Sequence, residues 1–301
     1  MTLTVLVTGA EGQVGTALMG GEHDGNVWVG LSRAELDLCS RASIARAMEI
    51  HRPDVVVNAA AYTAVDRAED DRDCAFLVNA DGPRYLAEAC LAHQAALIHI
   101  STDYVFDGRL GRPAREEDPC CPVGVYGQSK YAGEEAIRQV GGRHLCLRTS
   151  WIFSGTHPCF PRSILKAARQ RDVLNVVEDQ FGGPTSADAL AHVIRCILAR
   201  YAQSTEIVWG TYHFAQKPDC SWFEFAQAII RMAAIEDAVY AHVRVEPVST
   251  EAYGARAPRP TDSRLNTEKI NNNFSGIADS ANWNADLQVA VQAILHALKD
   301  A

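Results

Sequence analysis

The strongest constraint on what this sequence can fold into is a set of glycines directly behind a short apolar run. Leu3-Thr4-Val5-Leu6-Val7-Thr8 is rich in β-branched residues and stops at Gly9. Gly9-Ala10-Glu11-Gly12-Gln13-Val14-Gly15 follows with a GxxGxxG spacing and leads into the helix-compatible Val14–Met19. The order is strand, tight turn, helix. At such a turn a dinucleotide pyrophosphate can approach bare backbone and meet the N–H groups that open the helix. Glycines between a strand and a helix also serve as plain punctuation, so the rest of the chain has to decide.

The alternation continues. Strands are expected at Val27–Leu31, Asp54–Asn58 and Ala96–Ser101, and helices at Ala42–Ile50 and Asp73–Cys90. Gly108–Pro122, rich in Gly, Pro and charge, reads as a loop; Tyr126–Val140 then reads as a helix and His144–Ile152 as a further strand. Alternating β and α units call for a parallel sheet with helices on both faces. Beyond Trp151 the rhythm is broken by Pro158, Pro161, Gly182-Gly183-Pro184 and Ala257-Pro258-Arg259-Pro260, which indicates a second lobe. Helices are expected there at Ala187–Tyr201, Trp222–Ala234 and Leu287–Leu298, with Gly210–Ala215 as a strand returning to the first sheet, so that the lobes interleave.

Composition removes several classes of function. A chain of 301 residues with 48% hydrophobic content can bury a substantial core. A net charge of -9 without a Lys/Arg-dense block argues against nucleic acid or an anionic membrane surface as partner. No apolar run approaches the roughly 20 residues that span a bilayer, and Met1–Thr8 runs straight into a strand, which together place the protein in the cytoplasm. The nine cysteines lack a CxxC pair and mostly fall in periodic segments, as Cys90, Cys146 and Cys196 do, so they read as reduced core residues. Cys120-Cys121 reads as incidental loop thiols.

Chemistry is concentrated in Tyr126-Gly127-Gln128-Ser129-Lys130, where a phenol and an ammonium four residues apart share one helical face. A free phenol titrates near pH ~10, and a neighbouring cation favours the phenolate, so Lys130 is expected to lower the value for Tyr126. The bare YxxxK pattern is also common as a surface pair. Ser101-Thr102-Asp103 adds a hydroxyl at the end of a strand, and Asn58-Ala59-Ala60-Ala61 ends another strand with small residues against which a nucleotide can lie.

These blocks, in order, carry a resemblance over nearly the whole chain. Gly9…Gly12-Gln13-Val14-Gly15, Asn58-Ala59-Ala60-Ala61-Tyr62-Thr63-Ala64-Val65-Asp66, Ser101-Thr102-Asp103-Tyr104-Val105-Phe106-Asp107-Gly108 and Tyr126-Gly127-Gln128-Ser129-Lys130 resemble the extended short-chain dehydrogenase/reductases, and most of all their dTDP-4-dehydrorhamnose reductase branch. Arg148-Thr149-Ser150-Trp151, Asp179-Gln180-Phe181-Gly182-Gly183-Pro184-Thr185 and Arg259-Pro260-Thr261-Asp262-Ser263-Arg264-Leu265-Asn266 are similar to that branch's second-lobe motifs. The fold so implied is α/β, a Rossmann-type doubly wound parallel sheet with a smaller interleaved substrate-binding lobe. Residues 1–157 and about 186–218 would form the cofactor lobe, and about 158–185 and 219–301 the substrate lobe.

The resemblance implies reduction of the C4 ketone of a dTDP-linked 4-keto-6-deoxy sugar, the last step toward dTDP-L-rhamnose, with NADPH or NADH. Tyr126 would be the general acid, Lys130 would bind the nicotinamide ribose and tune Tyr126, and Thr102 would hydrogen-bond the carbonyl region. Gly9, Gly12, Gln13 and Val14 would meet the pyrophosphate, Asp37 and Leu38 the adenosine end, and Ala61, Tyr62 and Thr63 the nicotinamide side. Val65, Asp103 and Trp151 would line the sugar site, although Trp151 reads equally as a core aromatic, and Arg259 would face the diphosphate or stand as a solvated loop residue. Gly30-Leu31-Ser32-Arg33 ends the second strand without the acid that holds a ribose diol, so Ser32 and Arg33 are expected at a 2′-phosphate and NADPH should be accepted.

One departure concerns metal. Ala17 stands where some relatives carry a glutamate that holds a divalent ion between two subunits, and the ten histidines are scattered, so no metal is expected. A homodimer remains compatible with the sequence. Two other readings stay open: reduction of a different dTDP-4-keto-deoxysugar, and a non-catalytic nucleotide-binding regulatory subunit, which intact Thr102, Tyr126 and Lys130 disfavour.

Overall fold

A computed structural model describes residues 1–21, 25–203, 207–277 and 280–299. In chain order the first half runs β1 (Thr4–Thr8), α1 (Gln13–Gly20), β2 (Val27–Leu31), α2 (Arg41–His51), β3 (Val55–Asn58), α3 (Val65–Ala68), α4 (Arg72–Phe76), α5 (Gly82–Ala92), β4 (Ala96–Thr102), α6 (Val125–Val140) and β5 (His144–Thr149). The second half runs β6 (Ile152–Phe153), α7 (Phe160–Ala168), β7 (Val173–Val177), β8 (Phe181–Gly182), β9 (Thr185–Ser186), α8 (Ala187–Gln203), β10 (Gly210–His213), β11 (Cys220–Ser221), α9 (Trp222–Glu236), β12 (Arg244–Val248), α10 (Thr250–Tyr253), α11 (Glu268–Asn273) and α12 (Trp283–Lys299).

Six strands form one sheet in the order β2-β1-β3-β4-β5-β10, every neighbouring pair parallel. The period-two rule decides which helices cover which face. Leu3, Val5 and Val7 point to the side taken by Leu18 of α1 and by Leu190, Ile194 and Ile197 of α8. Leu6, Val56 and Leu97 point to the other side, against Ile44 and Met48 of α2, Leu86 of α5 and Ile137 of α6. Both faces are therefore buried, as an all-parallel sheet requires. Each fully buried Val, Leu or Ile contributes about 1.5–3 kcal/mol, which makes these two layers the main source of stability in this half.

A separate buried cluster joins Phe153, Leu165 of α7, Leu174 of β7, Phe225 and Ile229 of α9, and Trp283, Leu287 and Ile294 of α12. Around it lie three two-stranded pairings: β7 with β12 and β6 with β9, both parallel, and β8 with β11, antiparallel. Helix α9 starts on a capping box in which Ser221 accepts from the Glu224 N–H and the Glu224 carboxylate accepts from the Ser221 N–H. The expected returning strand is β10, which pairs with β5 and closes the edge of the large sheet.

Three expectations need correction. The helix read over Asp73–Cys90 is α4 and α5 joined by a π-helical segment, Leu77–Asp81, because a wide turn there aims Asn79 inward. The strand read over His144–Ile152 breaks at Ser150-Trp151, where Trp151 takes a left-handed φ of 45° that no strand continues through. Cys196, expected in the core, is partly exposed on α8, whereas Cys90 and Cys146 are buried and all nine cysteines are free thiols. Among the described residues no helix is long and apolar enough to cross a membrane.

Candidate active site

The chain leaves β1 to one side for β2 and returns to the other side for β3, so the carboxyl ends of β1 and β3 flank the switch point where a crevice opens in a doubly wound sheet. The glycine turn sits on that crevice. Gly9 has φ +65°, and a Cβ there would lie 2.9 Å from the Ala60 backbone. A Cβ on Gly15 would lie 2.1 Å from the Gly9 carbonyl oxygen, so α1 can pack this close to the turn only without a side chain. Gly12 is the N-cap of α1, with no side chain capping the helix and no acid in its first turn. The Gln13 side-chain oxygen is buried without a hydrogen-bond partner. Bare backbone and an uncapped helix N-terminus at one spot fit the phosphates of a dinucleotide.

A cleft of about 810 Å3 runs from this turn along the sheet edge. That volume lies in the range of cofactor sites. Gly9, Gly12, Gln13 and Val14 form one wall, Arg33, Asp37 and Leu38 the end toward β2, and Ala61, Tyr62 and Thr63 the wall after β3, with Tyr126 and Lys130 at the end toward β4. Asn79 holds the β3 wall in place: its side-chain oxygen accepts from the Tyr62 N–H at 2.8 Å and its amide donates to the Tyr62 carbonyl at 3.0 Å and to Ser129 at 3.0 Å.

Ser32 is the one predicted cofactor residue that does not line this cleft. Its N–H and hydroxyl both donate to the Glu35 carboxylate, at 2.8 and 2.7 Å, and these bonds hold that carboxyl below its usual range. The second strand is thus followed by an acid after all, displaced three residues and occupied with Ser32, while Arg33 faces the cleft.

Helix α6 brings the phenol and the ammonium to the opposite end. Its first N–H donates to Glu69 at 2.9 Å. A Cβ on Gly127 would lie 2.2 Å from the Tyr104 carbonyl oxygen and one on Gly133 2.1 Å from that of Asn79, so two glycines let α6 sit tightly against its neighbours. Tyr126 packs edge-on against Tyr104, ring centroids 5.8 Å apart. Burial pushes its phenol up to about 12, against a hydrogen bond with Thr102 that lowers it, while the nearby Asp103 raises it further. The expected lowering by Lys130 is absent, because that side chain turns to the sheet: Nζ donates to the Ile100 carbonyl at 2.7 Å and stands 3.3 Å from His99 Nε2. Burial brings Lys130 down to about 8, with Glu134 opposing.

Around this pair lies a polar network that motif spacing passes over. Glu134 accepts from Arg148 Nη2 at 2.6 Å and Nε at 2.9 Å and from Ser101 at 2.5 Å, all fully inside the protein. Breaking such a buried pair typically costs about 3–5 kcal/mol, so α6 is firmly tied to β4 and β5. Asp103 is buried and receives the Thr102 hydroxyl at 3.0 Å on one oxygen, while its other oxygen has no partner. Burial pushes that carboxyl up to about 7, with the nearby Ser263 and Thr102 hydroxyls acting the other way.

The remaining predicted sugar contacts are scattered. Val65 begins α3 next to the cleft-lining Ala64. Trp151 lies outside the cleft, stacked on Trp222 at 3.5 Å between centroids with Gly182 pressed on its ring. The Arg259 guanidinium is half-buried and engaged: it donates twice to Asp66, at 2.9 Å each, and lies against Tyr104. From the other side of the cleft mouth, His157 Nε2 meets the Glu11 carbonyl at 2.9 Å. The signals that could have exposed the missed residues were Asn79 between apolar neighbours and His99 within an apolar strand run.

The family described as RmlD substrate binding domain matches residues 3–296. A dTDP-4-dehydrorhamnose reductase of Burkholderia thailandensis is 40% identical over 97% of this chain and 99% of its own. A dTDP-4-dehydrorhamnose reductase from Bacillus anthracis, solved in complex with NADP, aligns with a TM-score of 0.85 at 32% identity, covering 96% of this chain and 98% of that one. An orthologue from Clostridium acetobutylicum aligns with a TM-score of 0.88 at 31% identity, covering 97% and 99%.

Proposed function

The chain belongs to the RmlD substrate binding domain family, and from that premise we propose that it reduces the C4 ketone of dTDP-4-dehydrorhamnose to dTDP-L-rhamnose with NADPH or NADH. The observation that carries the reading is that Tyr126, with Thr102 beside its phenol, and Lys130 line one end of a cleft walled by a glycine cradle suited to phosphates.

Bound reduced nicotinamide supplies the hydride. As it arrives, negative charge grows on the ketone oxygen, and Tyr126 donates its phenolic proton there. Burial suits the phenol to this direction: a group held up at about 12 keeps its proton near neutral pH and releases it only to a base as strong as a forming alkoxide. The Thr102 hydroxyl, by turning its hydrogen from Asp103 to Tyr126, stabilises the phenolate left behind. Lys130 serves the nicotinamide ribose. Asp103, with an unpartnered buried oxygen, offers a hydrogen bond to a sugar hydroxyl. Arg33 faces a 2′-phosphate, where its planar fork favours NADPH.

The same proposal includes a division into a cofactor lobe, residues 1–157 and about 186–218, and a substrate lobe, about 158–185 and 219–301, supported by two buried clusters that follow these bounds except that Phe153 packs with the second and Ile270, Phe274 and Ile277 with the first. A cytosolic location, a homodimer, and no nucleic-acid or membrane partner complete it. The test measures NADPH consumption with a panel of dTDP-4-keto-6-deoxy sugars and identifies the product by NMR. Turnover greatest with dTDP-4-dehydrorhamnose is expected. Turnover greatest with another sugar reassigns the substrate, and NADPH binding without turnover on any of them makes the chain a regulatory subunit.

A further inference from the structure

Under the cleft, three adjacent strands carry a row of polar side chains in register: Thr8 at the end of β1 opposite Asn58 at the end of β3, and Asn58 opposite His99 in the middle of β4. All three are buried, at 0%, 1% and 0% exposure, and Lys130 of α6, at 2%, ends the row. The hydrogens along it can be assigned from the one donor whose role is fixed, a backbone N–H. The Ala60 N–H points to the Asn58 side-chain oxygen at 3.3 Å, and the Thr8 hydroxyl donates to the same oxygen at 2.7 Å. The Asn58 amide nitrogen must then donate, and it faces His99 Nδ1 at 2.9 Å. A neutral ring that accepts at Nδ1 carries its hydrogen on Nε2, which faces Lys130 Nζ at 3.3 Å. An N–H can bond to a lysine nitrogen only when that nitrogen has a lone pair; toward an ammonium it is a donor facing a donor.

We propose that His99, locked by Asn58 with its hydrogen on Nε2, is a positioning residue that makes Lys130 a proton-exchanging group in the unliganded protein instead of a permanent cation. This rests on the cofactor reading above and extends it to how the cleft receives its ligand. The groups facing Lys130 are few: His99 from β4, the Cys146 thiol from β5, and on α6 Glu134, whose charge is already engaged by Arg148. Tyr126 lies one turn before it, and Arg67 and Asp71 stand on the cleft wall. Burial, opposed by Glu134, holds Lys130 down at about 8, and burial together with Lys130 holds His99 well below the ordinary histidine range, so the ring stays neutral while the lysine titrates. The ammonium form is the one that donates to ribose hydroxyls, so cofactor binding selects it and draws in a proton where the free lysine has lost one.

The experiment is NADPH affinity by fluorescence titration between pH 6 and pH 10 (~0.5-unit steps), with no sugar present, on wild type and two variants. Kd is expected to be flat below about pH 8 and to rise roughly ten-fold per unit above it, since one proton is linked to binding. His99→Gln can accept from Asn58 and still present an N–H to Lys130, so it should keep that break. His99→Leu removes the opposing N–H, and its break should move about one unit higher. Histidine 15N NMR should show the Nε2–H tautomer for His99 across this range. A break that stays put in His99→Leu while the melting temperature falls, or an Nδ1–H tautomer, overturns the proposal. Absence of NADPH binding by the wild type at any pH instead overturns the cofactor reading on which it rests.

Discussion

The two sides of the cleft are built in different ways. On the cofactor side the shape is set by backbone: Gly9 and Gly15 are placed where a Cβ would collide with main chain, and Asn79 pins both main-chain groups of Tyr62. On the substrate side the polar and aromatic groups are engaged with one another: Arg259 with Asp66 and Tyr104, Trp151 with Trp222, and Asp103 through only one of its oxygens. A surface fixed by backbone is ready for its ligand without rearrangement. A surface made of mutually bonded side chains must exchange partners when a ligand arrives, and each exchange is a point where one sugar can be told from another.

The contrast can be broken at four places. At the join, Tyr126→Phe removes only the proton donor; kcat should fall by about 10²–10⁴-fold while NADPH affinity stays unchanged, which single-turnover kinetics and titration together read out. On the backbone side, Gly15→Ala forces a methyl toward the Gly9 carbonyl, and overpacking of about 1–3 kcal/mol should weaken NADPH binding by roughly 5- to 150-fold while leaving the KM for sugar at saturating NADPH nearly unmoved. On the substrate side, Asp103 is pushed up to about 7, so its protonated, hydrogen-donating form persists to near neutrality and is lost above. kcat/KM for the sugar should then fall about ten-fold per unit above that break, and Asp103→Asn, which stays neutral, should erase the fall. The smallest effect belongs to Asp66→Ala: releasing Arg259 from a partly exposed pair worth about 0.2–1 kcal/mol should lower the KM for the sugar nucleotide by no more than about five-fold, and added salt should shrink the difference. An unmoved KM there means that Arg259 is a structural strap and not a diphosphate contact.

The same contrast decides what could be read from sequence. Glycine spacing reports backbone demands directly, so the β1 turn was legible, and the resemblance pointed to Ala61 and Tyr62, which line the same cleft as Gly12. Tyr126 and Lys130 were legible as neighbours, because four residues on a helix fix their relation, but not their protonation, which depends on burial and, for Lys130, on Glu134 one turn further along the helix and on Cys146 of β5. Trp151 shows the limit most plainly. Its motif locates it at the lobe junction, yet a left-handed φ and a Trp222 partner seventy-one positions later decide which way its ring lies. Ser32 stands off the cleft for a local reason: its hydroxyl donates to a carboxylate three residues on.

The returning strand β10 has a consequence for how the chain comes to be folded. Strands β1 to β5 are complete by residue 149, but their outer edge stays open until β10, sixty residues later, is laid along β5. During synthesis the ribosome therefore presents a parallel sheet with a bare row of N–H and C=O groups on β5, the kind of edge that pairs with other chains. Helix α8, which covers Val5 and Val7, also arrives after that point. A fragment ending before residue 187 should consequently aggregate instead of forming a soluble nucleotide-binding unit, although it contains every glycine of the cradle together with Tyr126 and Lys130.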